Sequence, residues 1–235
     1  YGLAFLTVTI VAAMLQLVPV ILRQRVGSTV RQCGAGVALI VGASSLAAGL
    51  GQGVTALSAA GGVLLALGLL TVVVDLAAAL WRAHRSPTGL GATGRGLAMS
   101  GFWLAVVVGV GLVLAADRGD PFLGTAHTRV VEAHAAAALL GWIGGMIMAI
   151  ALRLGPMFAL SHGYRARDGA WALGAWHAGV VLTCAGVLVQ VEAITYAGFV
   201  VLAGAALIAG SFLVSVGRHR RRSLEAPLMH LVAGG

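Results

Sequence analysis

An all-α, polytopic transmembrane helical bundle is the fold class this sequence predicts, on three observations. Hydrophobic residues fill 60% of the 235 positions and charged residues only 9%, with a mean hydropathy of +0.99, whereas roughly a quarter of the residues of a soluble domain are charged. Apolar stretches of about 18 to 25 residues recur along nearly the whole chain, each enough to cross a hydrocarbon core of roughly 30 Å. Polarity does not alternate from residue to residue, as it does in the strands of an outer-membrane barrel, and Ala, Leu and 35 glycines set the composition.

Seven helices follow, over 2–22, 34–51, 57–80, 98–115, 131–152, 171–190 and 194–216. The first carries Pro19 and the fifth is followed by Pro156; both prolines are expected to kink or end their helices. Asp75 is the one acid of the third helix, placed for an ion pair or a snorkelled carboxylate near Arg82. After the final cluster, "RHRRRSLEAPLMHLVAGG", an eighth helix is expected to begin. There is no initiator Met and no positively charged leader, and residue 1 already lies in an apolar run, so the chain reads as part of a longer protein. Cys33 and Cys184 lie in apolar surroundings on different helices without CxxC spacing, which predicts buried thiols rather than a disulfide or metal site.

Charge placement predicts orientation. Thirteen of fifteen arginines fall at four helix ends: Arg23, Arg25 and Arg31; Arg82, Arg85 and Arg95; Arg153, Arg165 and Arg167; and Arg218, Arg220, Arg221 and Arg222. By the positive-inside rule those ends are cytoplasmic and residue 1 is outside, as for a multi-pass protein of the bacterial inner membrane. Anionic lipid is the partner implied by the net charge of +8, and nucleic acid is not needed to explain it.

An internal repeat is also expected, as two parallel four-helix units over about 1–115 and 127–235 of a single transmembrane domain spanning 1–235. With an offset of 137, Leu3, Ile10, Ala12, Leu15, Leu17 and Pro19 meet Leu140, Ile147, Ala149, Leu152, Leu154 and Pro156. Downstream, "AGVAL" at 35–39 resembles "AGVVL" at 178–182, and "QGVTALSAAG" at 52–61 resembles "QVEAITYAG" at 190–198. Four crossings return the chain to the same side, so the units run parallel.

The fifth helix carries the chemical signal. At 100° per residue, His127, His134, Ala138, Gly141, Gly145 and Met148 fall near one line. One reading is structural: His134 hydrogen-bonds a neighbouring helix, and Gly141 and Gly145 are packing surface. The other is that His134 is an axial ligand of haem iron, with Gly141 and Gly145 lining an apolar slot for the porphyrin and His127 and Arg129 meeting its propionates at the outer surface.

The stretch "GWIGGMIMAIALRLGPMF" preceded by His134 resembles the second helix of subunit I of the haem-copper oxidases, where a His near the outer surface opens an apolar, glycine-containing helix. It is also similar to bacterial membrane proteins related to that subunit, which carry a His, Leu-Gly-Trp, Leu-x-Pro-Met-Phe pattern and a second helix like "LQLVPV" at 15–20. The resemblance implies a haem, with His134 as axial ligand of a low-spin iron. It covers about 30 residues. The family's His-Pro-Glu-Val-Tyr copper motif, His-His pair and late His-x-His are missing from this sequence, so no copper site and no oxygen or nitric oxide reduction centre are expected.

His177 lies some ten residues nearer the cytoplasmic side than His134, about 14 Å in depth, which makes it a poor trans ligand. The repeat points to a position four residues before Tyr1 for the second ligand. His84, His162, His219 and His230 read as interfacial, and Trp142 and Trp171 as packing and interface aromatics. Two function classes result: a haem-binding electron-transfer or gas-handling protein, with a redox partner subunit or a second copy as partner, and a transporter or accessory scaffold subunit without a cofactor.

Overall fold

The computed structural model describes residues 2–87 and 89–220, with side chains from residue 5 onward. Among these residues there are seven helices and no strand: α1 (Gly2–Leu22), α2 (Thr29–Gln52), α3 (Thr55–His84), α4 (Gly91–Gly119), α5 (Gly124–Ala159), α6 (Ala166–Val189) and α7 (Glu192–Arg218). All seven are long and apolar enough to cross a membrane. The expected eighth helix, Arg221, Arg222, His230 and Tyr1 lie outside the described residues.

The helices run past the apolar windows that predict them. α2 starts five residues early at Thr29, where the Ser28 side chain accepts a hydrogen bond from the Arg31 amide at 3.4 Å, and α4 extends to Gly91 and Gly119. Hydropathy marks where lipid must be matched, whereas the backbone ladder continues until a cap or turn ends it. α5 differs most. It opens with a 3₁₀ turn (Gly124–Ala126), continues as α-helix (His127–Ala136), widens into a π-helical stretch (Ala137–Gly144) and returns to α-helix (Gly145–Ala159). A π stretch bonds i to i+5, so the uniform 100° wheel does not hold across it. The Trp176 indole donates to the Leu140 carbonyl there at 2.9 Å.

Two tight hairpins, α2–α3 and α6–α7, flank a centre made by α4 and α5. They are built alike. In the first, Gly42 faces the backbone of Leu65 and Gly61, and Gly49 faces Ser58; in the second, Gly179 faces the backbone of Leu202 and Gly198, and Gly186 faces Thr195. Each of these pairs is related by 137 positions. The same offset relates the left-handed residues Arg23 and Leu160, four residues after Pro19 and Pro156, and the caps Gly53 and Gln190. It also relates the corner contact of Gly27 on Asp75 to that of Tyr164 on Phe212, whose rings meet edge-on at 5.5 Å.

The packing corrects part of the sequence alignment. "AGVAL" at 35–39 corresponds to 172–176, not to 178–182, and 52–61 corresponds to 189–198, one residue from the expected register. In Gly- and Ala-rich apolar sequence several registers score alike. Only the glycines at which two backbones touch fix it.

The sequence expectation for Asp75 is met with a different partner. Its carboxylate is buried and pairs with Arg31 in the first turn of α2, while Arg82 donates to the Arg25 carbonyl at 2.6 Å. Exposure is unequal: the Arg31 side chain is 53% exposed and that of Asp75 only 5%. Removing the arginine therefore strands a buried charge, whereas removing the acid leaves a cation that water can solvate. Arg31→Ala is expected to destabilise the protein by about 3 kcal/mol, and Asp75→Asn by clearly less, as read from unfolding midpoints in detergent micelles. The cysteines divide as well. Cys184 is buried, but Cys33 is exposed, because it lies off the Ala35, Leu39, Gly42 face that α2 buries.

Candidate functional site

The predicted stripe on α5 is its contact face with α4, and the two helices meet rung by rung. At the end away from the arginine clusters, His127 Nδ1 lies 2.7 Å from Asp117 Oδ2. The other Asp117 oxygen accepts the amides of Phe122 and Leu123 at 2.7 and 2.6 Å, so this carboxylate ties the α4–α5 turn to the first turn of α5. Two turns further in, His134 Cε1 lies 3.3 Å from where a Cβ on Gly111 would stand. The next rung sets Gly141 under the Trp103 indole, and the last sets Gly145 against Ser100 and the His177 ring.

The structure therefore brings His127, His134, Gly141 and Gly145 onto one face, and separates Arg129 from them. Arg129 lines an outer cleft between α5 and the α6–α7 hairpin, together with Glu132, Gln190, Glu192 and Tyr196. Five buried side-chain nitrogens lack a hydrogen-bond partner among the described residues: Trp103 Nε1, Trp142 Nε1, His134 Nδ1 and both nitrogens of His177. All lie on α4, α5 and α6. Buried polar atoms are normally satisfied, so these five mark α4, α5 and α6 as the chemically unusual helices among the described residues.

No family model, curated protein or solved structure matches the chain.

A haem ligand needs a ring nitrogen that the protein has not engaged, and His134 has one: neither ring nitrogen makes a hydrogen bond, and Nδ1 is buried. Its surroundings also suit a macrocycle in kind. The cavity it opens on is lined by Leu65, Ala66 and Leu69 of α3 and Val108, Gly111 and Leu112 of α4, with no charged group. The room is small. At about 160 Å³ the cavity falls below the roughly 300 Å³ at which ligand pockets begin, and the faces of Gly141 and Gly145 are filled by Trp103, Ser100 and His177. His134 thus fits as an iron ligand by its donor atom, while the two glycines serve close helix packing in this arrangement.

Sequence reasoning missed Asp117, Ser100, Trp103 and Gly111. Asp117 lies just past the apolar window 98–115 of the fourth predicted helix, and nothing in the α4 sequence marks which residues face α5. His177, which its depth makes a poor trans ligand for His134, is 5% exposed and level with Gly145. The remaining described histidines are exposed at the arginine-rich end, with His162 and His219 bonded to the Leu160 and Ser215 carbonyls. Trp142 is fully buried and Trp171 exposed.

Proposed function

We propose that this chain is a membrane-embedded haem protein in which His134 supplies an axial ligand, acting in electron transfer or gas handling. The observation that carries the reading is the intramembrane imidazole with no hydrogen-bond partner among the described residues, set beside Gly111 on a charge-free cavity. An intramembrane ionisable residue is expensive and is by default functional. When bound, haem supplies a one-electron couple or a gas-binding iron. The protein's own part is to hold His134 by close α4–α5 packing, to exclude water with the α3 and α4 walls, and to fix the outer turn through Asp117 and His127. With about 160 Å³ beside His134, loading requires those walls to part. Titrating haem into the protein in nanodiscs tests the reading. One haem per chain is expected for wild type and His127→Ala, and none for His134→Ala; equal uptake by all three would overturn it.

A second reading, an accessory subunit without a cofactor, is favoured by one observation: Trp103 and His177 close the glycine faces that a porphyrin would otherwise occupy.

The same proposal sets the chain in the bacterial cytoplasmic membrane with its arginine-rich end inward, following the positive-inside rule. Cys33, exposed beside Arg31, is the natural reporter. An impermeant maleimide should label it only after the cells are permeabilised, and labelling in intact spheroplasts would reverse the orientation.

A further inference from the structure

Arg153 is the one charged residue of α5 between Ala137 and Ala159. An ionisable residue in a spanning helix is normally paired with another charge or a carbonyl, yet Arg153 makes no hydrogen bond or ion pair among the described residues. The repeat does not require a cation here, because the position 137 residues earlier holds the neutral Gln16.

Arg153 lines a cavity of about 410 Å³ at the arginine-rich ends of α1, α4, α5 and α6, within the roughly 300–1,000 Å³ of small-molecule sites. Arg23, the left-handed residue that follows α1, lines it too and is likewise without a partner among the described residues. Both arginines are exposed, so a ligand can reach them. No acid lines the cavity. Gly91, Ala92 and Thr93 bring the first turn of α4 to it, and that helix begins without a side-chain cap. The positive end of the helix dipole thus adds to the two guanidinium groups, which carry most of the attraction. Leu22, Leu152 and Leu173 make part of the remaining wall apolar.

We propose that this cavity binds the phosphate group of a ligand with net negative charge, through Arg23 and Arg153 together. Arginine suits phosphate because its planar fork donates paired hydrogen bonds. Two arginines with no acid in the same lining favour a net anion, whether the headgroup of an anionic phospholipid or a soluble phosphate ester. Basic pockets between spanning helices are built for such headgroups. A zwitterionic phospholipid also brings a cation, for which the cavity offers no carboxylate, so the site discriminates against neutral bulk lipid.

Native mass spectrometry of the full chain in detergent micelles, titrated with phosphatidylglycerol and with phosphatidylcholine of the same acyl chains, tests this. Phosphatidylglycerol should bind the more tightly, and its affinity should fall about fivefold in Arg23→Gln and in Arg153→Gln, the loss of one charge-assisted contact at a solvent-screened site. Both variants should fold, since neither arginine has a partner to lose and the repeat already carries glutamine at position 16. Arg167→Gln removes an exposed arginine of the same end that does not line the cavity, and should change affinity less than about twofold. Glycerol 3-phosphate is then added as competitor. Displacement of the lipid, with binding that depends on both arginines, identifies a soluble phosphate ester as the source; no displacement identifies the lipid headgroup, and either result upholds the phosphate site. Equal affinity for the two lipids, unchanged phosphatidylglycerol binding in both lining variants, or an equal loss with Arg167→Gln overturns the proposal. His134 does not line this cavity, so the measurements are made on haem-free protein and stand apart from the haem reading.

Discussion

Gly61→Leu breaks the first hairpin. A Cβ at Gly61 would stand within 3 Å of the Leu46 amide nitrogen, the Ser45 carbonyl carbon and the Gly42 carbonyl oxygen, and backbone atoms cannot rotate aside as the end of a side chain can. α2 and α3 must separate along the contact that Gly42 and Gly49 share with it. Overpacking a core that can adjust costs about 1–3 kcal/mol; here the loss should exceed about 3 kcal/mol. Gly198→Leu should act alike on α6–α7, where Thr183 and the Gly179 carbonyl oppose it. Gly109→Leu is the control. Nothing lies within 4 Å of its Cβ position, and replacing a helical glycine gains rather than loses helix propensity by up to about 1 kcal/mol. Reversible unfolding in micelles compares the three. Equal stability of Gly61→Leu and Gly109→Leu would contradict the hairpin packing.

His134→Ala should separate cofactor from fold. In haem-free protein the substitution removes an imidazole whose Nδ1 is buried without a partner, relieving a penalty of about 1–3 kcal/mol. Against this stands the enlarged cavity beside Gly111, at roughly 24 cal/mol per Å³. The terms oppose one another, so the stability of the haem-free protein should change by no more than about 1 kcal/mol, while haem binding disappears. A loss of about 3 kcal/mol in haem-free protein would instead show that His134 holds the helices together.

How far the sequence could be read follows from which physics each feature obeys. Spanning helices were legible because lipid imposes length and hydropathy on every one of them. The 137-residue offset was legible in α1 and α5 because Pro19 and Pro156 are distinctive; in the hairpins it slipped by one and by six residues, since glycine and alanine repeat too often to fix a register. The stripe from His127 to Gly145 was visible as a helical face, although the wheel could not foresee the π-helical stretch at Ala137–Gly144. What that face touches was not visible. Trp103 and Gly111 sit in an α4 sequence with no polar pattern to mark one side, and His177 joins Gly145 only through tertiary packing. Arg129 is near His127 in sequence and was grouped with it, yet the turn of α5 carries it to the opposite cleft. Asp75 showed its charge but not its partner, because the α1–α2 corner that brings Arg31 to it is set by Gly27 and the packing of three helices.

The most direct test of the account is a dithionite-reduced minus oxidised absorption spectrum of the full chain purified from haem-supplemented cells, with His134→Ala and His127→Ala beside it. The account predicts sharp Soret and α bands in wild type and His127→Ala and their loss in His134→Ala. A colourless wild type, or bands that persist without His134, would contradict it.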